Sequence, residues 1–190
     1  MPIGSDSEAQ TRELIERVVA RDDHAAFADL VRQHQSPVRQ FLRRLTRTDP
    51  ERADDLAQET FWKAYRHLAS YRGDGRFLSW LFKIAYQIFL SEERRGKLRL
   101  APLPADRATG LIEGEQVIAS RSVDAMLGQL RGEERAAILL HYRHELTHPE
   151  VATALGLPLG TVKSLIRRGR DKMRTFHETT GRARRRGEHA

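Results

Sequence analysis

The chain contains no cysteine, which excludes a disulfide framework, thiolate catalysis and any sulfur-ligated metal site. It also lacks an uninterrupted run of about 18 apolar residues, the length a membrane-spanning helix needs. The opening MPIGSDSEAQTREL has neither the basic start nor the apolar stretch of a secretory signal, so a cytoplasmic protein with no membrane insertion is expected. A glycine-rich phosphate loop, a nucleophile elbow and a metalloprotease signature are all missing, so no enzyme and no cofactor is expected. His141, His144 and His148 stand three and four residues apart. Thr147, however, reads as a new helix start that separates His148 from the other two, and only Glu145 and Glu150 could complete a ligand set. No metal site is expected.

Against these absences stand 190 residues, 39% of them apolar, enough to bury a core in one medium domain or two small ones. The formal charge is +7, from 33 Lys and Arg against 26 Asp and Glu. The basic excess lies mainly after Lys163 and between Arg94 and Arg99, which favours a polyanionic partner. Apolar residues recur at three and four residues with no alternating strand pattern, so the fold class is all-α.

A first helix is expected to bury Leu14, Ile15, Val18 and Val19, and a second to follow Asp22 or Asp23 and to kink or restart at Ser36-Pro37. Asp49-Pro50-Glu51 is a helix start, with an acceptor for free N–H groups and a proline pre-set for the first turn. The helix it opens turns Leu56, Phe61 and Leu68 inward and leaves Asp55, Gln58, Glu59 and Trp62 on other faces. Gly73-Asp74-Gly75 breaks the pattern before a further helix carrying Phe77, Trp80, Leu81, Ile84 and Ile88, with Trp80 and Phe77 read as core. From Gly96, prolines and glycines interrupt any period. The expected organisation is a helical domain over 1–95, a flexible linker over 96–115, a second helical domain over 116–177, and a disordered basic tail over 178–190.

Thr147-His148-Pro149-Glu150 fits a capping box, and Gly156 can end the short helix it starts. Leu157-Pro158 then connects to a helix whose inward stripe is Val162, Leu165, Ile166, Gly169, Met173 and Phe176. Its outward arc holds Lys163, Ser164, Arg167, Arg168 and Arg170. This is the spacing of a helix-turn-helix, with one surface for the core and one shaped for a major groove.

Two stretches, DDLAQETFWKAYRHL with YRGDGRFLSWLFKIA and ELTHPEVATALGLPLGTVKSLIRRGR, together resemble the extracytoplasmic-function (ECF) group of bacterial RNA polymerase sigma factors. The resemblance implies that Asp55, Gln58 and Glu59 dock on core RNA polymerase. It implies that Lys83, Tyr86 and Gln87 meet the −10 element, and that Lys163, Ser164, Arg167 and Arg168 face the −35 element. Promoter DNA, core polymerase and an anti-sigma factor are the implied partners. Gln87 stands where the family commonly has asparagine, Leu165 where a cation is frequent, and Gly169 where alanine is usual. The alternative is a stand-alone helix-turn-helix regulator with an N-terminal sensor domain, which would have no need of the DDLAQETFWKAY face.

Overall fold

The computed structural model describes residues 5–47, 49–99 and 123–187, all-helical apart from short turns. The first half is built from α1 (Ser5–Arg21), α2 (His24–Thr46), α3 (Pro50–His67), a 3₁₀ turn (Leu68–Ser70) and α4 (Phe77–Arg99). The second holds α5 (123–128), α6 (Gly132–Ile138), a π-turn (Leu139–Arg143), α7 (His148–Leu155) and α8 (Leu159–Gly187). Most of the expected linker, from residue 100 on, lies outside the described residues, as do Val117 and Ile118.

Helix starts follow the local chemistry of the sequence. Asp23 accepts a bond from Ala26 N (3.0 Å) and Asp49 one from Arg52 N (2.8 Å), each satisfying a donor that the first turn leaves free. At the start of α7, Thr147 and Glu150 form the reciprocal capping box, with Thr147 N donating to Glu150 Oε2 at 2.8 Å and Glu150 N to Thr147 Oγ1 at 3.4 Å. Gly156 ends α7 at φ +66°, a left-handed conformation in which a Cβ would be strained.

Two expectations are corrected. No helix restarts at Pro37, because α2 continues through it to Thr46. An internal proline costs about 3 kcal/mol, and here one stripe of Leu30, Val38, Phe41, Leu42 and Leu45, all buried, holds both sides of it on the same core. Val19 is 51% exposed, since Leu14, Ile15 and Val18 already complete the inward stripe of α1. Helix α4 runs to Arg99 and α8 as far as Gly187. Arg and Ala are strong helix formers, and no proline interrupts the run.

Gly169 has a packing reason. A Cβ built there would lie 2.7 Å from Ile138 Cγ1 and 3.2 Å from its Cδ1, so α8 crosses α6 too closely for any side chain. Propensity alone favours Gly169→Ala by about 1 kcal/mol, whereas overpacking a buried contact costs about 1 to 3 kcal/mol. The contact is expected to win, and Gly169→Ala to lower the melting temperature. In an Ile138→Ala background, where Cγ1 is gone, the same change should be neutral or stabilising. A higher melting temperature for Gly169→Ala alone would show that the crossing can relax.

Candidate nucleic-acid and partner interface

The buried side of α8 is Val162 (0% exposed), Leu165 (3%) and Ile166 (6%), seated on α6 and α7. Lys163, Arg167 and Arg170 are exposed and Ser164 is half-buried. The cationic face therefore starts in the first turns of α8, the end that enters a groove in helix-turn-helix docking. Leu165, where a cation is frequent in the family the chain resembles, is part of the core.

Arg168 differs from its neighbours. Its Nε lies 3.8 Å from Glu134 Oε1, and Lys172 Nζ donates to Glu134 Oε2 at 2.7 Å. Glu134 is buried and also accepts Arg131 N, which starts α6. Burial would push this carboxyl up, but the bonds from Lys172 and the Arg131 N–H hold it below the ordinary range. Arg168 thus carries part of its charge into an internal pair.

On α3, Asp54 turns toward α2, its carboxylate 3.3 Å from Arg43 Nη2 and 3.8 Å from Arg39 Nε. Asp55 and Gln58 face solvent, and Glu59 is half-buried with Lys63 Nζ at 2.8 Å. The three residues expected to meet the polymerase therefore share one open helix face.

The residues expected at the −10 element are not brought together in this way. Gln87 is exposed and Lys83 half-buried, while Tyr86 is 2% exposed. Burial, with the Glu133 carboxylate adding to it, pushes the Tyr86 phenol up to about 12. Glu133 belongs to α6, so it is the second half that approaches Tyr86. The two halves enclose a cleft of 780 Å³ whose walls include Tyr86 and Phe89 from one side and Arg168 and Lys172 from the other.

Specific contacts hold the halves together. Arg135, buried, donates to the carbonyls of Leu127 (3.0 Å) and Leu130 (3.0 Å) and reaches Leu45 O at the end of α2 (3.5 Å). Arg44 pairs with Asp124 (2.9 Å) and Arg143 donates to Gln40 Oε1 (3.0 Å). His144 inserts between first-half aromatics, with ring centroids 4.6 Å from Phe82 and 6.1 Å from Phe41. His144, not His148, is therefore the histidine that stands apart: it points into the interface, whereas His141 and His148 come together across Thr147 with ring centroids 4.7 Å apart, and His141 Nδ1 contacts Leu146 O at 2.8 Å. Sequence periodicity does not single out Arg135 or His144. The available signal is the run Ala136 to Leu140, apolar on every side of a helix and therefore facing neighbours on both.

Two compact helical units, one of them a helix-turn-helix with a cationic recognition face, define a DNA-binding transcription protein. Comparison with known proteins gives its family. Residues 30–99 match Sigma-70 region 2 and residues 120–173 match Sigma-70, region 4. The chain is 36% identical over 168 residues to the ECF RNA polymerase sigma factor SigE of Mycolicibacterium smegmatis, covering 83% of this chain and 65% of that one. It is 30% identical to SigW of Bacillus subtilis, covering 82% and 91%. To the RNA polymerase sigma-H factor of Pseudomonas aeruginosa it is 32% identical, covering 87% and 92%. Among solved structures, CnrH in complex with the cytosolic domain of CnrY superposes with a TM-score of 0.68 at 24% identity, over 90% of this chain and 98% of that one. The sigma factor RpoE of Bartonella quintana, in complex with the anti-sigma factor NepR, gives 0.66 at 21% identity, over 80% and 96%. The chain belongs to the ECF group of RNA polymerase sigma factors, which direct promoter-specific transcription initiation.

Proposed function

We propose that the second half reads the −35 element through Lys163, Ser164, Arg167 and Arg168, and that the first half captures the melted −10 strand with Gln87, aided by Lys83 and Tyr86. Asp55, Gln58 and Glu59 dock the factor on core polymerase in the cytoplasm, and the chain performs no catalysis of its own. The observation carrying this reading is the exposed cationic start of α8 opposite a fully buried stripe, delivered by the Gly156 turn. An anti-sigma factor is a further partner, an expectation supported by the complex of the structural neighbour RpoE with the anti-sigma factor NepR.

Run-off transcription with core polymerase on a promoter library tests the assignment. Transcripts that require both proteins are expected. Retardation of duplex DNA by the chain alone, with no added transcription, would favour the stand-alone regulator instead.

Lys163 and Arg168 separate two jobs a cation can have on a recognition helix. A cation on a base edge contributes about 1 to 3 kcal/mol of discrimination at one position, whereas one on phosphate strengthens binding to all sequences alike, and its loss weakens them all and flattens the salt dependence. Lys163, in the first turns of α8, is expected to read a base edge, so Lys163→Ala should relax preference at a single −35 position. Arg168, further along and already leaning on Glu134, should on replacement by alanine lower affinity uniformly. Holoenzyme binding to single-base −35 variants across a salt series is the measurement. Unchanged preference and unchanged salt slope in both variants would remove this face from the DNA.

A further inference from the structure

Trp62 is a second kind of contact on the face that carries Asp55, Gln58 and Glu59. Its neighbours Leu56, Ala57, Thr60, Phe61 and Ala64 are all buried, yet Trp62 itself is 56% exposed. Positions 55, 58, 59, 62 and 66 follow the three- and four-residue spacing of a single helix face, so the indole sits in line with the acidic residues. The ring is also held in place, because the Arg66 guanidinium lies over it at 4.7 Å from the centroid, the geometry of a cation–π contact. Tyr65, the residue between, is engaged elsewhere, bonded to Asp22 and packed on Phe27.

A single exposed apolar residue is ordinary on a soluble protein. An exposed tryptophan fixed by a cation and in line with two carboxylates, Asp55 and Glu59, is the arrangement of a binding anchor, since aromatic hot spots lie amid contacts that exclude water around them. Holding the ring before binding removes part of the ordering cost of association.

We infer that Trp62 is the apolar anchor of the polymerase-docking face, with Arg66 as the positioning residue that presents it. The occupant is a surface of core RNA polymerase that is basic where it meets Asp55 and Glu59 and carries an apolar pocket for the indole. This rests on the docking reading above and adds to it a component that salt does not screen. Charge steers encounter and suppresses wrong partners, while a buried aromatic slows dissociation.

The test measures binding of purified core RNA polymerase by the full chain, at low and high salt, for Trp62→Ala, Trp62→Phe, Arg66→Ala and the double variant Asp55→Lys/Glu59→Lys. Trp62→Ala is expected to weaken binding about 30-fold, with the melting temperature little changed because the residue is 56% exposed. Trp62→Phe should recover most of the loss and Arg66→Ala should fall between. The Trp62 effect should persist at high salt, whereas the double charge reversal should matter less there. If Trp62→Ala binds like the wild type while the charge reversal abolishes binding, the anchor is refuted and the docking face stands. If the charge reversal is harmless, the docking reading fails, and a loss confined to Trp62→Ala would then keep an apolar anchor without the acidic contact. A fall in melting temperature that accounts for the whole loss, with Trp62→Phe no better than alanine, would make Trp62 structural and overturn the inference.

Discussion

Reversing two charges on α3, Asp55→Lys with Glu59→Lys, is expected to abolish copurification with core RNA polymerase while leaving helicity and melting temperature close to wild type. The expectation follows from where the structure places the two carboxylates. Asp54, next in sequence, is tied to Arg39 and Arg43 of α2, so changing it would disturb the fold. Asp55 is exposed, and Glu59 has only the half-exposed Lys63 against it, a same-helix pair worth a few tenths of a kcal/mol. Across a partly desolvated interface, juxtaposed like charges cost several kcal/mol. Two reversals therefore leave no measurable affinity at the concentrations of an ordinary pull-down. Copurification at the wild-type level would mean that this face does not meet polymerase.

The same comparison shows where sequence is informative and where it is not. Local chemistry was legible: the caps at Asp23, Asp49 and Thr147 and the left-handed Gly156 all stand where spacing and residue type put them, because each is decided within four residues of chain. The helix-turn-helix was legible for the same reason, since Val162, Leu165 and Ile166 repeat at the helical period. Contacts between segments far apart in sequence were not. Nothing near Gly169 announces that Ile138 will lie 2.7 Å from its missing Cβ. Tyr86 reads as a surface residue until Glu133 and the rest of α6 approach it. His144 reads only as a candidate ligand beside His141 until Phe41 and Phe82 enclose it. Pro37 misleads in the other direction, because propensity weighs one residue while the buried stripe of α2 weighs five.

Acidification from pH 7 to pH 5 is expected to part the two halves, and His144→Phe to suppress most of that response. On the proposed reading of the −35 and −10 elements the halves also have to separate to function. Elements named −35 and −10 lie about 25 base pairs apart, or about 85 Å at 3.4 Å per base pair, whereas Tyr86 and Arg168 here line one cleft of 780 Å³. His144 couples that opening to protons. Burial, with Arg143 and Arg44 nearby, lowers its pKa from 6.5 to about 4, and its Nε2 is buried without a hydrogen-bond partner. The charged groups around it are these two arginines, from its own segment and from α2, and the ring neighbours Phe41 and Phe82 are apolar, so nothing rewards the imidazolium. The sign follows directly. When the halves part, the ring returns toward 6.5 and binds a proton more readily than in the closed form. Closure is thus fully supported above pH 6.5 and loses support as pH falls toward 4. Allowing for the solvent that still reaches part of the ring, the loss between pH 7 and pH 5 is about 1 to 2 kcal/mol, a five- to thirty-fold shift toward the open form. His34, also lowered to about 4 by burial and by Arg76, lies wholly within the first half against Phe77, so its titration bears on the stability of that half and not on the parting of the two. Because the chain has no cysteine, Ala69→Cys and Thr180→Cys, both at exposed positions, can carry a donor and acceptor dye without interference. Energy transfer should fall between pH 7 and pH 5 in the doubly labelled wild type and hold nearly constant in His144→Phe. Equal falls in the two proteins would place the proton elsewhere, and no fall in either would mean that closure does not depend on the charge of His144.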